Sequence, residues 1–407
     1  MVERPIAIAG HCCVDIIPAF EAAAGKENAV LTPGKLTHVG PARFATGGPV
    51  PNVGLALHRL GVPPRLFGKV GDDLLGGVLL DLLRRLDPEL AARMIVAPGE
   101  PTSYSVVISP PGVDRIFLHC PGVNDTYAAA DLAAADLEGA RFLHFGYPPL
   151  MRRIYQENGR ELVTMLERAR RQGVTTSLDM ALPDPASEAG QVDWAAFLRR
   201  VLPQVALFLP SAEELLFMLD RPRFGVLQAR AHGNIVLSMD GDTLARLAEA
   251  CLAFGAAVVA LKLGDQGLYL RTTADRQRLG SAGRGISGDQ QEWRGRELLA
   301  PCFQAHVVGT TGAGDATIAG FLASLLDGAR PEAALRGAVA VGACSVEAAD
   351  ASSAVPAWEV VQQRIAEGAR AAQGGWRQCA VSLALPGWRW DAIEGIWYGP
   401  RDQRAAA

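Results

Sequence analysis

Short apolar runs alternate with longer stretches of helical period along most of the 407 residues. Residues 6–9, 142–145, 206–209 and 258–261 are each continuously or mostly apolar, and 174–178 is a short strand-like run of Val, Thr, Ser and Leu. Runs of that length, apolar on successive positions, read as strands buried on both faces. Most are followed closely by Gly, Pro or Asp and then by a helical stretch. The alternation predicts an α/β fold with a mostly parallel central sheet covered by helices on both faces. Ligands in such sheets gather beyond the carboxyl ends of the strands.

Two stretches break the pattern. Residues 18–46 carry the turn signals Thr32-Pro33-Gly34 and Gly40-Pro41 between short strand-like pieces. Residues 102–122 contain an apolar run at 104–108, the turn Pro110-Pro111-Gly112, and a second run at 115–119. Turn residues between β-branched and aromatic runs predict short paired strands. Together the two stretches predict a small accessory sheet over the edge of the main one. Residues 280–295 are polar and Gly-rich, and a mobile loop is expected there. The tail from Trp376 holds four of the seven tryptophans, at 376, 388, 390 and 397. Amphipathic rings at that density predict a tail packed on the body or in a subunit interface. The expected division is a body spanning 1–370 and this tail, 371–407.

Composition narrows the class. Apolar residues make up 49 % and charged residues 20 %, an ordinary balance for a soluble globular protein. The net charge of −4 gives no pull toward a polyanion. The basic clusters Arg84-Arg85 and Arg168-Ala169-Arg170-Arg171 lie in helical stretches and read as solvated faces, so no nucleic-acid partner is expected. The longest strongly apolar run, 251–261, falls far short of the roughly 20 residues that cross a bilayer. The N-terminus reads as a first strand rather than a signal peptide, and seven scattered cysteines suit a reducing cytoplasm. Cys12-Cys13 has no second Cys or His pair at ligand spacing and reads as two buried thiols.

The chemistry concentrates in two glycine-rich turns. Val308-Gly309-Thr310-Thr311-Gly312-Ala313-Gly314-Asp315-Ala316-Thr317 runs straight into an apolar helical segment. Backbone N–H groups at such a helix start point toward an anion. The glycine spacing is that of a P-loop, but Asp315 and Ala316 stand where Lys and Ser or Thr would follow. A carboxylate beside phosphates is repelled by them unless it takes a proton from the attacking group. That assigns Asp315 as the base of a phosphoryl transfer. The other turn, Gly47-Gly48-Pro49-Val50-Pro51-Asn52, opens a helix ending near Leu60-Gly61. Its glycines admit close backbone approach, and the amide of Asn52 both donates and accepts, as a hydroxyl-rich ligand requires.

The 47–76 block, continuing through Gly68-Lys69-Val70-Gly71-Asp72-Asp73, and the 310–315 block resemble the two signatures of the PfkB carbohydrate kinases. These are the ribokinase-like sugar and nucleoside kinases. Supporting blocks at 10–15, 122–124, 210–214 and 262–267 follow in family order, so the resemblance spans about 6–355. It implies a ribokinase-like three-layer sandwich with a small β lid, formed here by the pieces at 18–46 and 102–122. It also implies ATP and Mg2+ and a sugar or sugar-like acceptor. By matching position, Asp15, at the end of the first strand, would hold substrate hydroxyls with Gly47, Gly48 and Asn52, and Asn124 would line the site. Gly312, Ala313 and Gly314 would form the anion hole beside Asp315. Lys262, Gly264, Gly267 and Thr311 would contact nucleotide. The family's Asn-x-x-Glu element appears as Ser211-Ala212-Glu213-Glu214, with Glu214 acting on magnesium through water. Gly309 replaces a frequent acidic residue, which puts activation by a monovalent cation in doubt, and Thr317 replaces a frequent aromatic. His144 and Asp179 also end strands; each could border the pocket or serve only the core or a turn. Lys26, Lys35, Arg43 and Arg115 are the cations that could meet a phosphorylated sugar. A nucleoside kinase and a catalytically silent sugar-binding regulator are the competing readings, and pairing through lid edges is a possible dimer mode.

Overall fold

The structure, a computed structural model, describes residues 5–20, 34, 36–109, 116–231, 234–286, 289–370 and 376–404. Its main sheet has ten strands. In spatial order they are Arg389–Asp391, Ile396–Tyr398, Glu297–Ala300, Leu268–Thr272, Val258–Lys262, Leu207–Phe208, Thr175–Leu178, Phe142–Gly146, Ile6–Gly10 and Pro64–Phe67. From Val258–Lys262 to Pro64–Phe67 every neighbouring pair is parallel, and the remainder are antiparallel.

Strand alternation supplies both faces of the sheet. Ile6 and Ile8 enter one apolar layer with Val258 and Ala260, under helices Pro49–Arg59, Ala313–Leu326 and Pro331–Ser345. Ala7 and Ala9 enter the other with Val259 and Leu261, under Arg152–Arg171, Trp194–Val201 and Gly241–Ala253. A strand apolar at every position is what two covered faces demand. This is the three-layer α/β arrangement expected from the sequence.

The smaller sheet runs Ala42–Gly47, Cys13–Pro18, Tyr104–Ile108, Ile116–Cys120. Its second strand corrects one expectation. Asp15 does not end the first strand; it sits inside Cys13–Pro18, because the chain crosses from main to smaller sheet through His11 and Cys12 alone. The positive φ of Gly10 (123°) permits that abrupt exit, and a side chain there would strike the backbone of Gly146 on the adjacent strand.

The loop expected to be mobile is fastened at its described residues, with 287 and 288 outside them. Gly285 N–H donates to Thr175 Oγ1 at 2.7 Å, while Ile286 and Trp293 are buried. The tail extends the main sheet, with Ile396–Tyr398 pairing to Glu297–Ala300. Trp376 stacks on Phe303 with ring centres 4.4 Å apart. Beneath the tail, buried Arg296 pairs with Asp402 at 3.0 Å and with Glu332 at 2.5 Å. Among the described residues no helix is long and apolar enough to cross a membrane.

Candidate active site

The carboxyl ends of the parallel strands face the smaller sheet, and polar side chains from both meet between them. Gly48 begins helix Pro49–Arg59 at φ 88°, with prolines in the first turn pre-set for helical φ. A Cβ on Gly48 would lie 2.6 Å from His11 Nδ1, and one on Gly47 would lie 2.5 Å from Asp15 Oδ1. The pair of glycines therefore makes room for two side chains as well as for a turn. Burial pushes the Asp15 carboxyl up to about 6.

Asn52 is buried one turn into the helix, and its Nδ2 donates to Asp315 Oδ2 at 2.9 Å. Its Oδ1 is buried without a partner. An amide oxygen left in that state costs free energy until a donor reaches it.

Asp315 occupies the first turn of helix Ala313–Leu326, behind Gly312 at φ 71°. Amides at a helix start lack an intrahelical acceptor and point outward. Ala313 N–H turns back to Thr310 O at 3.3 Å. The amides of Gly314 and Asp315 follow it in the same first turn. Tyr147 O–H also donates to Asp315, at 3.2 Å to Oδ1. Tyr147 sits just past Gly146 in the left-handed region, φ 61°, which is uncommon for a residue with a side chain. Burial raises the Asp315 pKa, and Lys262, Asn52 and Tyr147 oppose that rise.

Lys262 ends its strand against Gly314, whose added Cβ would come 3.7 Å from Lys262 Nζ. Its Nζ pairs with Asp179 Oδ1 at 2.6 Å. Asp179 is fully buried, and its Oδ2 has no partner. Burial pushes the Asp179 carboxyl upward while Lys262 pulls it back. Glu214 closes a capping box: its Oε2 accepts from Ser211 N–H at 2.7 Å, and its N–H donates to Ser211 Oγ at 3.1 Å. The field of Lys262 also reaches Glu214 and opposes the rise that burial imposes on it.

The sequence matches the pfkB family carbohydrate kinase over residues 5–358. The chain belongs to that family. This carbohydrate kinase is 27 % identical over 274 residues to an uncharacterized sugar kinase of Archaeoglobus fulgidus, covering 67 % of this chain and 87 % of the relative. In fold it is similar to an Arabidopsis thaliana ribokinase complexed with ribose and ATP. That likeness has a TM-score of 0.64 at 18 % identity, over 89 % of this chain and 98 % of that one. It is also similar to a Burkholderia thailandensis nucleoside kinase in complex with inosine, TM-score 0.60 at 18 % identity, over 88 % and 97 %.

The structure of this kinase sets Asn52 against Asp315 in the helix start behind Gly312, with Ala313 and Gly314 in the same turn, Lys262 against Gly314, and Asp15 against Gly47 beside Gly48. Other sequence candidates stand in different surroundings. Asn124 is fully buried, and its amide spans the backbone of Cys12, accepting from N at 3.3 Å and donating to O at 2.9 Å. Its amide thus secures the crossing between sheets instead of lying open to an acceptor. Gly267 is required by packing, since a Cβ at its φ of 105° would overlap the carbonyl of Ala300. Gly264, by contrast, faces open space. Thr311 lies half-buried in the turn before Gly312. Gly309 backs onto Ala348 and Ala349, with 3.0 Å between an added Cβ and Ala348 O, so an acidic side chain has no room there without a backbone shift.

His144 is fully buried with Nδ1 2.9 Å from Ser177 Oγ, and burial lowers its pKa to about 3. Arg43 is exposed, whereas Lys26, Lys35 and Arg115 lie outside the described residues. Sequence reasoning passed over Tyr147, His11 and His119. The only signal for Tyr147 was its position one residue beyond a strand-ending glycine.

Proposed function

We propose that this kinase transfers the γ-phosphoryl group of ATP to a hydroxyl of a sugar or sugar-like acceptor, with Asp315 as base. The observation that carries the reading is the arrangement at Asp315. A buried carboxylate with raised basicity is held by Asn52 and Tyr147, at a helix start rich in outward amides. Asp15 and the unpartnered Oδ1 of Asn52 accept hydrogen bonds from acceptor hydroxyls. The reacting hydroxyl gives its proton to Asp315 as its oxygen bonds to the γ-phosphorus, and the bond to the ADP oxygen breaks. Amides of Gly314 and Asp315, with Gly312 and Ala313 shaping the turn, steady charge on the transferring group. Lys262 adds a fixed positive charge at the same place.

Magnesium fits the acidic side of this site. The unpartnered Oδ2 of Asp179 and the carboxylate of Glu214 are oxygen donors of the kind it prefers, reached directly or through water. When bound, the ion offsets phosphate charge. Gly264 and Thr311 face the nucleotide, with Gly267 holding the turn. The smaller sheet serves as a lid that excludes water from the acceptor. Its edge strands leave Phe44 and Leu118 exposed, which supports pairing of two copies through this sheet.

A nucleoside acceptor is a second reading, favoured by the flat surfaces of His11, His119 and Tyr147. His11 lies 5.1 Å from the His119 ring and 6.2 Å from that of Tyr147. A panel of free sugars, phosphosugars and nucleosides, assayed by coupled ADP release, decides between them. Release above the acceptor-free rate with a free sugar upholds the first reading. Release only with nucleosides replaces it with the second, and none with any acceptor overturns both.

A further inference from the structure

Beside Cys12-Cys13 the sequence offers His11 but no second Cys or His pair, and the fold brings His119 to it from afar. Cys13 pairs across the smaller sheet with Gly47, Asp15 pairs with Ser105, and Ser105 pairs with His119. Residues directly opposite, and those two apart on a strand, share a face. Cys13, Asp15, Ser105 and His119 therefore lie on one face of that sheet. His11, in the crossing between the sheets, brings its ring to the same place.

We propose that His11, Cys13 and His119 form a binding site for a borderline divalent metal ion, with Zn2+ the best match. One ligand atom from each of the three can be chosen so that all lie within 4.8 Å of one another. The Nε2 atoms of His11 and His119 are 3.4 Å apart. Two Zn–N bonds of about 2.0–2.1 Å at a tetrahedral angle place their nitrogens about 3.3 Å apart, and a Zn–S bond of about 2.3 Å puts sulfur about 3.6 Å from nitrogen. The histidine edge is thus already at its coordinated length. The thiolate is the ligand that moves to complete the set.

The surroundings fit ligation. Ser105 Oγ lies 3.0 Å from His119 Nδ1, so Nδ1–H can donate to it and leave Nε2 as the ligating atom. Ligation takes neutral imidazoles and a deprotonated thiol, so metal binding here releases a proton. A thiolate with two imidazoles selects zinc-like ions over Mg2+, which prefers oxygen. His119 is exposed and offers an entry path. Three protein ligands leave a fourth position beside Asp15, whose Oδ1 is 3.5 Å from Cys13 Sγ. An ion here would fasten the smaller sheet to the crossing and alter acceptor entry. The alternative is a single N–H···N bond between the two rings with an uninvolved thiol.

The test uses the chelator-stripped full-length protein, titrated with Co2+ in excess Mg2+ and then with Zn2+. One equivalent of Co2+ should give a tetrahedral visible spectrum with a thiolate charge-transfer band, and Zn2+ should abolish both. Cys13→Ser should remove the charge-transfer band, and His119→Gln should weaken Co2+ binding at least tenfold. Ser105→Ala should weaken it by about 10- to 100-fold. Metal-free melting temperatures measured alongside separate ligand loss from unfolding, and exposed His119 gives the variant least exposed to that confusion. A wild-type titration without a charge-transfer band overturns the proposal. So does a band that survives Cys13→Ser, or an affinity unchanged in His119→Gln. Binding is read without turnover, so a failed kinase assignment leaves this outcome independent.

Discussion

At Asp315, the base of the proposed reaction, single contacts tune a carboxylate. Burial raises its pKa, and the hydrogen bonds from Asn52 and Tyr147 stabilise its charged form and hold the rise in check. A base works only when ionised, so kcat falls as the pH drops through its pKa in the bound complex. Tyr147→Phe removes one stabilising donor, which raises that pKa. The acid limb of the kcat profile should therefore move to higher pH, with little change on the alkaline side. An unmoved limb, or one moved to lower pH, contradicts the role given to Tyr147. Asp315 and Asn52 were legible in the sequence because glycine turns announce them. Tyr147 was not, since its hydroxyl reaches Asp315 only through a left-handed turn that no local pattern marks. Asn124 was misread for the converse reason: a polar residue at a sheet return looks the same whether its amide faces a ligand or a buried backbone.

Elements differ in why they carry glycine, and the turn between Val258–Lys262 and Leu268–Thr272 separates two reasons. Gly264 at φ 60° faces open space, whereas a Cβ on Gly267 would overlap the Ala300 carbonyl. Gly264→Ala should cost about 1–2 kcal/mol, the strain of a left-handed residue, and raise the KM for ATP. Gly267→Ala adds a backbone clash to its own strain and should destabilise clearly more in denaturant unfolding. Equal losses for the two variants would refute the distinction. Most of the buried parallel strands were legible from short apolar runs, as in Ile6–Gly10 and Val258–Lys262. Cys13–Pro18 was not, since the chain changes sheets across two residues with no turn signal. The three-residue tail strands were equally silent: both are too short to show a period, and Arg389–Asp391 is also mostly polar and exposed at the edge.

Across the whole molecule the tail is part of the folded core. Glu297 is fully buried and accepts from Arg401 N–H at 2.7 Å and from Tyr269 O–H at 3.1 Å, while Arg296 depends on Asp402. Ending the chain at residue 375 would strip Arg401 and Asp402 and uncover the edge of Glu297–Ala300. Breaking a buried ion pair costs about 3–5 kcal/mol, so the shortened chain should melt far lower or fail to fold. A melting temperature like the parent's would show that the tail is dispensable. The tryptophan count hinted at packing, but the buried charges beneath could be seen only once distant residues met. The same convergence makes the site: Asn52 arrives from a helix that opens beside the smaller sheet, Tyr147 from a main-sheet strand end, and Asp315 from a helix start far along the chain. The most direct test of that account is Asp315→Asn, assayed for turnover and for ATP binding in one preparation. The account predicts a kcat lower by about 100-fold or more, with ATP affinity retained; turnover close to the parent's would contradict it.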